Sequence, residues 1–311
     1  MEIRGISKEL QEIADNELNE CAERIGEDLQ HIRDWLRQQP HLCVRSDDQW
    51  FITFLRGCKW SLQRAKEKLD YFYAMRTLIP EFFQNRDPMD PALQSILELG
   101  FIFPLPKTQN SSGPRIIFVN YSVIDYDTIN FHDLVKLFFM TLDLLMVEDD
   151  NFVISGQIYI ARYADLPLSF YLKATPTIAK KFAMCWQFAY PLRVAGFIGT
   201  DTPVGMEKLF NAFVIPFLSK KLQDRIHMYS SQNHEKVYSH VPKAFFPEEF
   251  GGENGSCHVL AEQWKTKMES YREWFLEDAQ YMSKEELRPG KPITYSEEFG
   301  MEGTFRKLIL D

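Results

Sequence analysis

Apolar positions along this chain change their spacing near residue 90. Over residues 1–90 they recur every three to four positions, as on one face of a helix. Trp50, Phe51, Phe54 and Leu55 form such a face. Before them, Ser46-Asp47-Asp48-Gln49 reads as a capping box, with Ser46 as N-cap and Gln49 reaching back. Ser61 is expected to cap the next helix, with Leu62, Ala65, Leu69, Phe72 and Tyr73 on its buried side. Asn85-Arg86-Asp87-Pro88 and Pro91 then interrupt the pattern.

Beyond that break, short apolar runs at 115–121, 154–162 and 194–200 predict buried strands. Helical patterns at 132–148 and 175–188 lie between them, the second opened by Thr175-Pro176 with proline in a helix-start position. Strands alternating with helices imply an α/β fold with a mostly parallel sheet behind an all-helical N-terminal domain. Turn residues from Pro242 to Gly252 close the region, 262–277 predicts a further helix, and the remainder reads as an irregular tail. The expected units are 1–90, 91–255 and 256–311, the last a helix and tail packing on the core.

Residues 205–225 carry the widest apolar face. Met206, Leu209, Phe210, Phe213, Val214, Phe217 and Leu218 share one side of a single expected helix, which Pro216 should kink. Lys220, Lys221 and Arg225 stand at its C-terminal end. Such a segment suits a movable cover over an apolar cavity that also meets an anionic surface.

Composition narrows the function classes. Of 311 residues, 45% are hydrophobic and 25% charged, the mixture of a globular protein. A net charge of −9 argues against general nucleic-acid binding, so an anionic partner needs a local basic cluster. Five scattered cysteines (Cys21, Cys43, Cys58, Cys185, Cys257) indicate neither a disulfide framework nor a zinc site. The first ten residues lack the apolar core of a signal peptide, and the apolar run 137–147 is too short to span a bilayer and contains Asp143. A cytosolic protein, or one that meets membranes from the cytosolic side, is expected. Catalysis finds no support: no Gly-x-Ser-x-Gly elbow is present, and the glycines at 251–255 lack the Lys-Ser/Thr of a phosphate loop. His227, His234 and His240 have the wrong gaps for a local zinc pattern. A non-enzymatic protein without metal or cofactor is expected.

Several motifs in order carry a family resemblance. Phe54-Leu55-Arg56-Gly57-Cys58-Lys59-Trp60 resembles the motif that opens the helical N-terminal domain of the CRAL-TRIO lipid-binding family. Thr175-Pro176 with Tyr190-Pro191-Leu192-Arg193-Val194-Ala195-Gly196, the segment 211–228, and Pro247-Glu248-Glu249-Phe250-Gly251-Gly252 are similar to later segments of its tocopherol-transfer and retinaldehyde-binding members. The ending at 299–308 looks like that of arthropod members. The chain departs from the pattern at Cys58, where an arginine is usual, at 161–165, and near Thr200-Asp201.

The resemblance implies a carrier for one small lipophilic ligand, such as a retinoid, carotenoid, tocopherol or sterol-like molecule. The implied cavity wall is Phe138, Leu142, Phe182, Trp186, Tyr190, Leu192 and Phe197, with Phe210, Phe213, Val214 and Phe217 from the cover. It also implies that Arg193, Lys221 and Arg225 bind a phosphoinositide at a membrane surface, coupling docking to release. The protein is expected to act as a monomer. A phosphatidylinositol/phosphatidylcholine exchanger and a lipid-sensing regulatory scaffold are the alternatives.

Overall fold

A computed structural model describes residues 3–106, 108 and 110–299. Strands β1 (Ile102–Pro104), β2 (Arg115–Asn120), β3 (Gln157–Arg162), β4 (Val194–Thr202) and β5 (Ile226–Ser230) form one sheet in that spatial order. β1 runs antiparallel to β2, and the other neighbours are parallel. Each parallel step is bridged by helical chain, as the alternating pattern requires. The longest crossover helix, Phe131–Glu148, is buried along almost its whole length. It lies between the sheet and the N-terminal helices, which explains why its apolar run is continuous rather than one-sided.

Helices occupy most of the chain before β1. Asp48–Gly57 and Leu62–Leu78 meet in an edge-on aromatic cluster of Trp50, Phe54 and Phe72. Phe72 also touches Tyr190, 5.1 Å between ring centroids, and joins the helical part to the sheet part. Beneath this contact lies a buried ion network. Arg76 and Arg86 both pair with Asp143, and Arg86 also pairs with Asp278 from the helix Arg272–Asp278. The helix Cys257–Ser270 returns to place Trp264 in the same core.

Two expectations need correction. The cap of Asp48–Gly57 is Asp47, whose carboxylate accepts from Trp50 N at 2.9 Å, and Gln49 instead accepts from Arg4 N. Asp47 takes the role because the helix begins at Asp48, so Asp47 is the last extended residue and its carboxylate meets the third helical amide. The single helix expected over 205–225 is three pieces: Met206–Phe213, a 3-10 turn Ile215–Phe217, and Lys220–Gln223. Pro216 has no N–H to continue the ladder, and Leu218 and Ser219 are extended, so the chain stops and restarts instead of bending. Ser61 caps as expected, accepting from Arg64 N, and Pro176 opens its helix as expected, behind Thr175, which accepts from Ile178 N. The tail holds a 3-10 turn Glu285–Leu287 and a short helix Tyr295–Phe299. Most of the segment 299–308 lies outside the described residues.

Candidate lipid cavity and basic cluster

The sheet face, the helix Phe131–Glu148 and the helix Pro176–Met184 enclose a cavity of about 190 Å³. The strands contribute Val119, Ala161, Phe197 and Ile226. The long helix adds Leu134, Val135 and Phe138, one turn apart on one face. Ile178, Ala179, Phe182 and Ala183 form the opposite wall, and Trp186 closes its end. The pieces between Met206 and Leu218 cover the opening. Leu209 and Phe213 remain 37% exposed, and Val204, at the head of this segment, is fully exposed. The cover is therefore incompletely packed.

Seven of the eleven expected wall residues line this cavity: Phe138, Phe182, Trp186, Phe197, Phe210, Phe213 and Val214. The other four stand elsewhere. Leu142 is fully buried one turn further along its helix, in the core. Tyr190 is wedged between Phe72 and Phe139, with both ring centroids at 5.1 Å. Leu192 and Phe217 are half-buried against the core, outside the lining. The displacement of Tyr190 has a local cause: Cys185–Ala189 is a π-helical turn, whose extra residue shifts the phase of all that follows.

Sequence reasoning missed Phe101, Tyr121, Phe131, Tyr163, Phe170 and the small residues Ala161, Ala174, Ala179 and Ala183. Alanines at 179 and 183, one helical turn apart beside two large neighbours, were the available signal of space on that face. No charged side chain is among the described lining residues. Tyr121 and Tyr163 stack at 4.9 Å on the far side, and Thr175 spends its hydroxyl as a helix cap.

The three expected basic residues converge outside the cavity, beside its cover. Partial burial and the positive charges of Arg225, Lys59, Arg193 and Arg64 hold the Lys221 ammonium below its ordinary value. Like charges gathered this way favour a bound anion. Arg193 donates to the Ile154 carbonyl and to Glu17 at 3.0 Å, and Arg225 donates to the Val194 carbonyl. Both guanidiniums are thus anchored at one edge. Lys59 reaches this cluster from a left-handed turn (φ 53°) that Trp60 shares (φ 57°). The preceding Cys58 is buried, which pushes its thiol up to about 11 and leaves it uncharged. In the same motif, Arg56 is fully buried and paired with Glu20 by two hydrogen bonds, at 2.8 and 3.0 Å.

Among the described residues no group of His, Cys, Asp or Glu is placed to hold a metal ion. His227 and His240 stack at 4.4 Å, while His234 turns to the Ser231 carbonyl. No helix among them is long and apolar enough to cross a membrane.

Residues 100–252 match the CRAL/TRIO domain, and residues 21–93 match a Pinta-like, UBA domain. The human alpha-tocopherol transfer protein-like protein is 27% identical over 260 residues, covering 81% of this chain and 72% of that protein. Clavesin-1 of Rattus norvegicus is 28% identical over 249 residues, 80% of this chain and 69% of the relative. The crystal structure of Sfh5 aligns with 85% of this chain and 99% of that one at 10% identity, with a TM-score of 0.46.

Proposed function

We propose that this chain, whose residues 100–252 match the CRAL/TRIO domain, is a lipid carrier of that family and holds one neutral lipophile in the cavity beneath residues 206–218. The observation that supports this reading is the apolar lining, which among the described residues holds no charged side chain. A phospholipid exchanger needs a polar or charged pocket for a headgroup, since a buried unpaired charge is expensive. An uncharged ring or polyene suits this wall of aromatic and aliphatic groups. Each Å² it removes from water contributes roughly 25 cal/mol. A cavity of about 190 Å³ is little larger than one that holds benzene, so a ligand of isoprenoid or sterol size must displace the cover. Three short pieces joined at Val214 and Leu218 have the joints to do so.

Release is coupled to membranes through the basic cluster. Arg193, Lys221 and Arg225, with Lys59, bind a phosphoinositide headgroup on a cytosol-facing surface, and the monomer docks transiently. Lys221 sits one short turn beyond the cover, so holding it on the membrane biases the cover towards opening. Glu17 occupies one edge of Arg193 in the undocked protein and is displaced by the phosphate. Lys221→Ala combined with Arg225→Ala should lower recruitment to phosphoinositide-containing vesicles about tenfold or more, the effect of losing two charge-assisted contacts. Bound lipophile should be retained. Vesicle flotation with unchanged recruitment contradicts the coupling.

A further inference from the structure

The sheet side of the cavity is built from side chains paired across the strands, and it stops at one glycine. Tyr159, Phe197 and Ile226 are in register across β3, β4 and β5, and Ala161, Gly199 and Met228 form a second such row. Alternate residues of a strand share a face, so both rows look the same way. Phe197, Ile226 and Ala161 line the cavity, whereas neither Gly199 nor Met228 is among the described lining residues.

A Cβ at Gly199 would lie 2.5 Å from the Met228 sulfur and 2.8 Å from its methyl carbon. The same point is 3.3 Å from the ring of Tyr163, which does line the cavity. Met228 therefore lies across the bare backbone of Gly199, next to the end of the cavity that Tyr163 forms. Its strand neighbours His227 and Tyr229 engage His240 instead. Small residues at 161 and 199 stand side by side and leave a trough across the sheet. Over β4 the thioether fills it.

Several features make this filling movable. Methionine is unbranched and flexible, and it repacks where a stiffer residue cannot. Strands ordinarily favour branched or aromatic residues at such a place. Met228 is half-buried on an edge strand, so its methyl end has a way out. The pairing of β4 with β5 also shifts register between Gly199 and Thr202, immediately beyond the contact.

We propose that Met228 sets the length of ligand the cavity accepts, by retracting from Gly199 to extend the cavity across β4 towards β5. This inference rests on the carrier reading and adds the residue that selects among its ligands. A short lipophile fits over Ala161 and leaves the thioether in place. A longer one displaces it and buries its far end against the Gly199 backbone, where no Cβ stands in the way.

The test titrates the full chain with geraniol, farnesol and geranylgeraniol, each one isoprene unit longer than the last. Quenching of tryptophan fluorescence reports binding, since Trp186 lines the cavity. The quantity read is the affinity ratio of geranylgeraniol to geraniol. Met228→Ala should raise this ratio roughly fivefold or more, because part of an isoprene unit newly buried without displacing the thioether is worth such a factor. Met228→Ile, close in size but stiff at χ1, should lower the ratio while geraniol binds as before. The isoleucine suits a strand, so this variant carries the test if Met228→Ala does not fold. A ratio unchanged in the variants, or all three alcohols shifted together, overturns the length limit and leaves the carrier reading standing. If none of the alcohols binds the unaltered protein, the carrier reading fails and the length limit with it.

Discussion

A Cβ added at Gly57 would lie 2.0 Å from the Pro191 carbonyl oxygen and 2.6 Å from the proline Cβ. The glycine of the Phe54–Trp60 motif thus permits a close approach between the helical domain and the strand-leading segment 190–193. Gly57→Ala should cost about 1–3 kcal/mol by overpacking, measured by urea unfolding. Asp143 is a second such residue. It faces Arg76 and Arg86 with its side chain fully buried. Asp143→Ala leaves two buried guanidiniums short of a partner and should cost roughly 3–5 kcal/mol. Residues of this kind were hard to read in the sequence. Arg56 has the look of a surface cation in its motif, yet it is buried against Glu20, a partner 36 positions away. Asp143 was visible only as a flaw in an apolar run. Partners remote in sequence decide both cases. Phe138, Phe182 and Trp186 were expected in the wall from the family resemblance, and the structure places all three in the lining.

At the scale of elements, the phase of a helix was readable and its interruptions were not. Pro216 marked a disturbance in 205–225, but a proline alone does not tell a bend from a stop, and extended backbone at Leu218 and Ser219 makes it a stop. The π-helical turn Cys185–Ala189 carries no comparable mark, and Tyr190 just beyond it, which the resemblance implied for the cavity, faces Phe72. Strand contributions such as Ala161 and Tyr163 need sheet register, which pairs β3 with β4 through Ala161 and Gly199. The edge strand β5, which follows the cover, has its own pH sensitivity. Tyr229 Oη and His240 Nε2 are hydrogen-bonded at 2.8 Å, and His227 stacks on the same imidazole. Partial burial and His227 hold His240 below its ordinary value. A histidine depressed in the folded state is protonated first in the opened state, so stability falls as pH drops below about 6.5, the ordinary value. Amide protection factors at Ile226–Ser230, exchange rates corrected for their intrinsic pH dependence, should fall between neutral and mildly acidic pH more than those in β2 or β3. His240→Phe should remove the difference, and uniform exchange across the sheet contradicts the account.

The whole molecule couples three layers. The N-terminal helices brace the long helix Phe131–Glu148 through the Arg76–Asp143–Arg86 network, that helix forms one cavity wall, and the cover ends in the basic cluster. The proposed membrane contact belongs to the last of these layers. Masking of Arg193 by Glu17 predicts a gain: Glu17→Gln should increase recruitment to phosphoinositide vesicles several-fold, because the exposed Glu17 carboxylate competes directly with the headgroup for the largely buried Arg193. Class and order of elements followed from the sequence, since alternating strands and helices admit few arrangements. Cavity volume did not, because it depends on how large and small side chains oppose each other across three elements.

The central claim is tested most directly by native mass spectrometry of the full chain after exposure to a total lipid extract, beside an Ala179→Phe variant that places a ring in the cavity wall. One neutral lipophile per chain, lost in the variant while its circular dichroism is unchanged, is the predicted result. A bound phospholipid, no bound lipid, or a ligand retained equally by the variant contradicts it.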